Sequence, residues 1–143
     1  MAKLYIMVGI PGSGKTTTAN EIEGIRVSSD EIRECLYGSE ENQSDPKRIF
    51  SFVNSITEDC LKDDRDVIYD ATSLTEELRV AIIERFKPLT DEIICVFCNT
   101  PVEECIRRNN SRKRIIPEKV IRKMAEKLEV PTTYEGFSKI VYV

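Results

Sequence analysis

Leu4-Tyr5-Ile6-Met7-Val8-Gly9-Ile10-Pro11-Gly12-Ser13-Gly14-Lys15-Thr16-Thr17-Thr18-Ala19 is the stretch that decides the fold. Five apolar residues read as a buried strand and run directly into Gly9 to Thr16, a complete G-x-x-x-x-G-K-T phosphate-binding loop. The residues after the loop can open a helix, which completes the strand–loop–helix context the motif requires. Glycines at 9, 12 and 14 let the backbone curl so that successive N–H groups point at one phosphate chain, and the helix N-terminus adds its positive dipole end. Lys15 then reaches the β- and γ-phosphates of a nucleotide, and the Thr16 hydroxyl is a ligand for Mg²⁺.

Outward from this loop, strand signals alternate with helical periodicity. A short helix runs through Glu21-Ile22-Glu23, and a weak strand covers Ile25-Arg26-Val27. Asp45-Pro46 opens a helix with apolar residues at Ile49, Phe52, Val53, Ile56 and Cys60. Asp66 to Tyr69 reads as a strand, and Leu78, Ile82 and Phe86 mark the next helix. A strand at Ile93 to Phe97 leads to Thr100-Pro101-Val102-Glu103, a capping box with proline in the first turn. Pro117 opens a helix that buries Val120, Ile121, Met124 and Leu128, and a last strand spans Ile140 to Val143. This order predicts an α/β fold, a parallel sheet with helices on both faces, whose ligands bind beyond the carboxyl ends of the strands. No linker, repeat or low-complexity run divides residues 1–143, and Gly38 to Asp45 reads as a polar loop, so one domain is expected.

At 143 residues the chain can bury a core without staples. The N-terminal apolar run is too short for a signal peptide and no run approaches a membrane span, so a cytoplasmic protein without a membrane partner is expected. The five cysteines are odd in number and sit at apolar positions, as reduced packed thiols do. Cys95 and Cys98 have metal-pair spacing, but they fall on a strand, where residues three apart face opposite ways. The chain has no histidine, so proton transfer falls to carboxylates, Lys, Arg or a metal.

Three further segments carry chemistry. In Ser28-Ser29-Asp30-Glu31-Ile32-Arg33, Ser28 and Glu31 fit a capping box, placing Asp30 in the first helical turn and Arg33 nearly on its face. Asp30 is either a base for an attacking hydroxyl or a stabiliser of the helix start. Asp70 ends the third strand, the usual place for the carboxylate that orients Mg²⁺ or its waters, although acids also end strands for solubility. Asp64-Arg65-Asp66 precedes that strand and reads as a solvated turn. Between Ile106 and Met124 lie Arg107, Arg108, Arg112, Lys113, Arg114, Lys119, Arg122 and Lys123 against one acid, Glu118, inside a chain of net charge −4. This stretch is either a solvated helix face or an anion-binding element. Beside a phosphate-binding loop, Arg107 to Pro117 reads as a lid that brings a guanidinium to the transferring phosphoryl group.

The loop, Ser-Ser-Asp30-x-x-Arg33, Asp70-Ala-Thr, the Arg108-Asn109 to Pro117 lid and the terminal Pro131-Thr132-x-x-Glu135-Gly136-Phe137 together resemble the kinase domain of the polynucleotide 5′-hydroxyl kinases of phage and of DNA and RNA repair enzymes. Single motifs are shared with zeta-toxin-like and seryl-tRNA kinases. The resemblance spans essentially the whole chain and implies strand order 2-3-1-4-5, Asp30 as general base, Arg33 near the acceptor, and a lid arginine on the ATP phosphates. Arg112 matches that arginine best, with Arg114 the alternative. Because the chain stops after the kinase, no 3′-end activity is expected.

The expected activity is ATP- and Mg²⁺-dependent transfer of the γ-phosphate to the 5′-hydroxyl of DNA or RNA. Gly9, Pro11, Gly12, Ser13, Gly14, Lys15, Thr16 and Thr17, with Arg108 and Arg112, form the expected nucleotide site. Lys15, Asp30, Arg33 and Arg112 are the expected catalytic groups, and Thr16 and Asp70 the expected metal ligands. The rivals are a kinase of a nucleoside, sugar or antibiotic, a zeta-toxin-like kinase, and a nucleotide-dependent switch, for which the Asn/Thr-Lys-x-Asp guanine motif is absent. The acidic balance argues against a long polynucleotide acceptor, and monomer and homodimer stay open.

Overall fold

The computed structural model describes residues 1–39, 45–112 and 115–143. Its five strands are β1 (Lys3–Val8), β2 (Ile25–Ser28), β3 (Val67–Asp70), β4 (Glu92–Phe97) and β5 (Lys139–Tyr142), joined in one sheet of order β2-β3-β1-β4-β5. Every pairing is parallel, so this is the expected order. The helices are α1 (Lys15–Glu21), α2 (Ser29–Tyr37), α3 (Pro46–Lys62), α4 (Glu76–Phe86), α5 (Val102–Asn110) and α6 (Glu118–Lys127). None is long and apolar enough to cross a membrane among the described residues.

Alternation along β1 shows why both faces need cover. Leu4, Ile6 and Val8 join a core with Ile49, Val53 and Phe86, while Met7 packs on the other side with Ala19, Ile68 and Val96. Cys95 belongs to the first cluster and Cys98 to the second, so the two thiols face apart. Burial pushes the Cys95 thiol up to about 12. Register does the functional work at the sheet's carboxyl edge: Ser28 pairs with Asp70, bringing the ends of β2 and β3 level beside the loop after β1.

Several local expectations shift. Helix α1 stops at Glu21, because Ile22 turns to extended backbone ahead of Gly24. Helix α3 has the expected Asp45 cap, which accepts from the Arg48 amide at 3.1 Å, and Pro46 follows it. Its buried stripe, however, is Ile49, Val53, Thr57 and Leu61, an i+4 row. Phe52 lies off that row, 41% exposed, under the Arg48 guanidinium. Thr57 tolerates burial because its hydroxyl donates to the Val53 carbonyl at 2.8 Å.

Helix α4 is rotated in the same sense. Arg79, Ile83 and Phe86 are buried, and Leu78 is 56% exposed. A charged residue holds a core position because each of its three nitrogens is bonded: Nε and Nη2 reach Glu135 at 2.6 and 3.1 Å, and Nη1 reaches the carbonyls of Ser73 and Leu74 at 2.9 and 3.0 Å. Glu135 in turn accepts from the Thr132 amide, closing the terminal motif on itself.

Thr100 does not cap α5. Pro101 takes the cap position without a side-chain bond, and the Thr100 hydroxyl instead donates to the Ser13 carbonyl at 2.8 Å, tying β4 to the phosphate loop. Helix α5 also runs on to Asn110, so Arg107 and Arg108 stand in its last turn and not in a loop.

Candidate active site

The phosphate loop closes tightly on itself. Ser13 N–H donates to the Ile10 carbonyl, Thr18 N–H opens the α1 ladder on Gly14, and no side chain caps that helix. Its first amides are therefore left for an anion. Gly12 and Gly14 hold φ of 84° and 94°, and a Cβ on Gly12 would run into the Cys105 carbonyl.

The phosphate loop, α2 and the connection between α5 and α6 share one cleft of about 1570 Å³, more than the roughly 300–1,000 Å³ that one small ligand usually fills. Pro11 to Thr17, Asp30 and Arg33 of α2, and Arg108 and Arg112 all line it. Gly9 lies buried at the base of the loop, where its N–H donates to Thr72. Asp70, only 2% exposed, sits behind Lys15 and does not line the cleft. Arg114 lies outside the described residues.

Asp30 is the one carboxylate side chain among the described lining residues. It accepts from Arg33 Nη1 at 3.0 Å across one helical turn. Ser28 caps the helix as expected, accepting from the Glu31 amide at 3.3 Å, but the reciprocal arm is missing because Glu31 faces Arg26. Arg33 is buried and its Nε finds no partner among the described residues, an unspent donor beside the cleft. The lining also includes Phe50, Asn54, Tyr69, Leu78, Ile82 and Arg85, residues absent from the sequence expectations. Tyr69 donates to Asn54 at 2.9 Å, and burial pushes its phenol well above the ordinary value, so it stays neutral.

Lys15 Nζ donates to Asp70 Oδ1 at 3.0 Å. The other oxygen, Oδ2, takes Arg26 Nε at 2.8 Å and Nη2 at 2.7 Å, and Arg26 Nη1 reaches Glu31 at 2.6 Å. Burial works against the Arg26 charge, yet the bonds and charges of Asp70 and Glu31 outweigh it and raise the guanidinium above its ordinary value. Sequence reasoning missed Arg26. Its signal was a lone charge inside a short strand two residues before the position level with Asp70.

Between α5 and α6, buried Asn109 accepts from the Ile116 amide at 3.1 Å and donates to the Ile116 carbonyl at 2.7 Å, pinning both ends of the connection. The basic stretch thus divides. Arg107 and Arg122 pair with Glu104 and Glu103 on the exposed surface, whereas Arg108 and Arg112 face the cleft. Arg108 Nη1 would lie 3.5 Å from a Cβ on Gly14, and its Nε is held by Glu104 at 3.0 Å. Thr16 and Asp70 offer the hard oxygens that suit Mg²⁺, on condition that Lys15 releases the carboxylate.

Residues 4–131 match the AAA domain family (AAA_33). The L-seryl-tRNA(Sec) kinase of Methanococcus maripaludis is 26% identical over 139 residues, covering 91% of this chain and 54% of that protein. A chain in the solved Pnkp1/Rnl/Hen1 RNA repair complex is 27% identical and superposes with a TM-score of 0.76, over 89% of this chain and 44% of its own. The chain thus spans about half the length of these two relatives. A gluconokinase from Sinorhizobium meliloti, 16% identical with a TM-score of 0.69 over 99% of this chain and 81% of its own, shares the fold. From its phosphate loop, its sheet order and these matches, the chain belongs to the AAA domain family and has the fold of the P-loop kinases.

Proposed function

We propose that residues 1–143 form one kinase domain that transfers the γ-phosphate of ATP to the 5′-hydroxyl end of DNA or RNA. One observation carries this reading: the cleft built on the phosphate loop has a single lining carboxylate side chain among the described residues, Asp30, and it stands one turn from a buried arginine with an unspent donor. Asp30 takes the proton of the attacking hydroxyl, and Arg33 grips a phosphate of the acceptor strand. Lys15, the loop amides, Arg108 and Arg112 hold the donor phosphates, where little is needed beyond positioning and neutralised charge. Thr16 and Asp70 would hold a Mg²⁺ ion or its waters, and that ion would supply further neutralising charge to the donor phosphates. Two relatives above 25% identity support an acceptor hydroxyl carried on nucleic acid, one by its place in an RNA repair complex and one by its name as a seryl-tRNA kinase.

The deciding experiment is transfer from γ-labelled ATP to a panel of 5′-OH DNA, 5′-OH RNA, seryl-tRNA, nucleosides and sugars. Label on the 5′-OH oligonucleotides supports the proposal. Label on seryl-tRNA alone moves the acceptor to an aminoacyl hydroxyl, and label on nucleosides or sugars alone makes the protein a small-molecule kinase.

Two variants test the parts. Lys15→Ala is expected to lower turnover by about 10²–10³-fold, the loss seen when one preorganised charge-stabilising donor is removed. Its fold should survive, since Asp70 keeps Arg26 as counter-ion. Near wild-type turnover would end the kinase reading. For the acceptor, a 3′-phosphorylated nucleoside is expected to outperform the bare nucleoside by about 10- to 100-fold in kcat/KM, the worth of a charge-assisted hydrogen bond at about 1.5–3 kcal/mol. Arg33→Ala should erase that ratio, and equal rates on both substrates with the unmutated protein would reject acceptor recognition by Arg33.

A further inference from the structure

Asp70 is buried and carries two cations, one on each oxygen. Only one of them belongs to the phosphate loop. Lys15 has to leave the carboxylate to meet a nucleotide's phosphates, and a buried carboxylate stripped of its sole counter-ion is among the costliest groups a protein can hold. With Lys15 as the only partner, Asp70 would therefore compete with the nucleotide for the lysine. Arg26 changes that competition. Its Nε and Nη2 stay on Oδ2 while Nη1 stays on Glu31, so the guanidinium is held from two sides on the sheet, outside the cleft lining, where the incoming phosphates do not claim it.

We propose that Arg26 is a positioning residue that makes the phosphate-loop lysine transferable: it keeps Asp70 compensated after Lys15 moves from the carboxylate to the nucleotide. The same side chain ties the end of β3 to the first turn of α2 through Glu31, the residue after Asp30, so the carboxylate behind the donor site and the acceptor helix share one anchor. The inference rests on the nucleotide-binding half of the reading above and is independent of which acceptor is phosphorylated.

The test is the affinity of a fluorescent non-hydrolysable ATP analogue, measured by anisotropy in EDTA so that no metal enters the comparison, with the thermal midpoint of each variant recorded. Arg26→Met is expected to weaken binding about tenfold, because Lys15 becomes the sole counter-ion of Asp70. Arg26→Lys should retain most of the affinity, since the compensating charge remains. The decisive variant is Arg26→Met/Asp70→Asn, which leaves no carboxylate to retain Lys15 and should return affinity to within about twofold of the unmutated protein, a coupling that independent sites do not show. An Arg26→Met protein that is folded and binds as tightly as wild type overturns the proposal, as does a double variant as weak as Arg26→Met alone. If the unmutated protein binds no nucleotide, the nucleotide reading itself falls, and this inference with it.

Discussion

An Asp30→Asn variant is expected to keep its affinity for ATP and to lose about 10²–10⁴-fold in turnover, the usual range for a general base. The amide is nearly isosteric and still accepts from Arg33 Nη1, so the geometry of the first turn of α2 survives. What it lacks is the ability to take a proton. Among the described residues no neighbour can substitute: the cleft lining contains no second carboxylate side chain, the chain has no histidine, and burial keeps Tyr69 protonated. Single-turnover transfer from labelled ATP, beside equilibrium binding of an ATP analogue, separates the two effects. Should analogue affinity fall as far as turnover, Asp30 is a nucleotide or metal ligand and the base must be sought elsewhere.

The second large effect is on stability. Glu135→Gln is expected to destabilise the protein by about 3–5 kcal/mol, because it leaves the Arg79 guanidinium buried without a counter-charge. For a chain of this size that corresponds to a fall in Tm of roughly 10–20 °C. Arg79→Met/Glu135→Met should cost much less, since removing both charges leaves no stranded ion and a buried pair is often replaceable by apolar side chains. Scanning calorimetry of the single and double variants decides it. A Glu135→Gln protein melting within about 2 °C of wild type would mean that Arg79 is compensated otherwise. The pair also gives the Pro131-Thr132-x-x-Glu135-Gly136-Phe137 ending a physical role: through Arg79 it holds the carbonyls of Ser73 and Leu74, in the loop that follows Asp70 and borders the cleft.

Helical periodicity was a good guide to which segments are helices and a poorer one to which face is buried. On α3 and α4 the apolar residues Phe52, Ile56 and Leu78 carry the helical period, yet each is exposed by more than a third. Thr57 and Arg79 hold core positions in their helices. A pattern of apolar types ranks a threonine or an arginine as surface, because it does not register the bonds that offset burial: 2.8 Å to a carbonyl one turn back for Thr57, and a carboxylate 56 residues away for Arg79. The capping expectation at Thr100 failed for the same reason, since the hydroxyl's better acceptor was Ser13, 87 residues earlier.

Features written in contiguous spacing were legible from the sequence alone. The phosphate loop needs its glycines, lysine and threonine within eight residues, β1 alternates its faces within six, and Asp30 and Arg33 meet across one turn of helix. These arrangements follow from backbone periods of two and 3.6 residues, and no other part of the chain has to be in place for them to be read. The tertiary structure alone decided what depends on register between distant segments. Pairing of Ser28 with Asp70 sets Arg26 on the Asp70 carboxylate, 44 residues along the chain, and pairing of β1 with β3 brings Lys15 to its other oxygen, 55 residues away. The tertiary structure also turned α3 and α4 so that Phe50, Leu78 and Arg85 line the same cleft as Asp30. A parallel sheet brings together strand ends that lie tens of residues apart, so the partners of a buried charge are chosen by strand order and register, which no local period encodes.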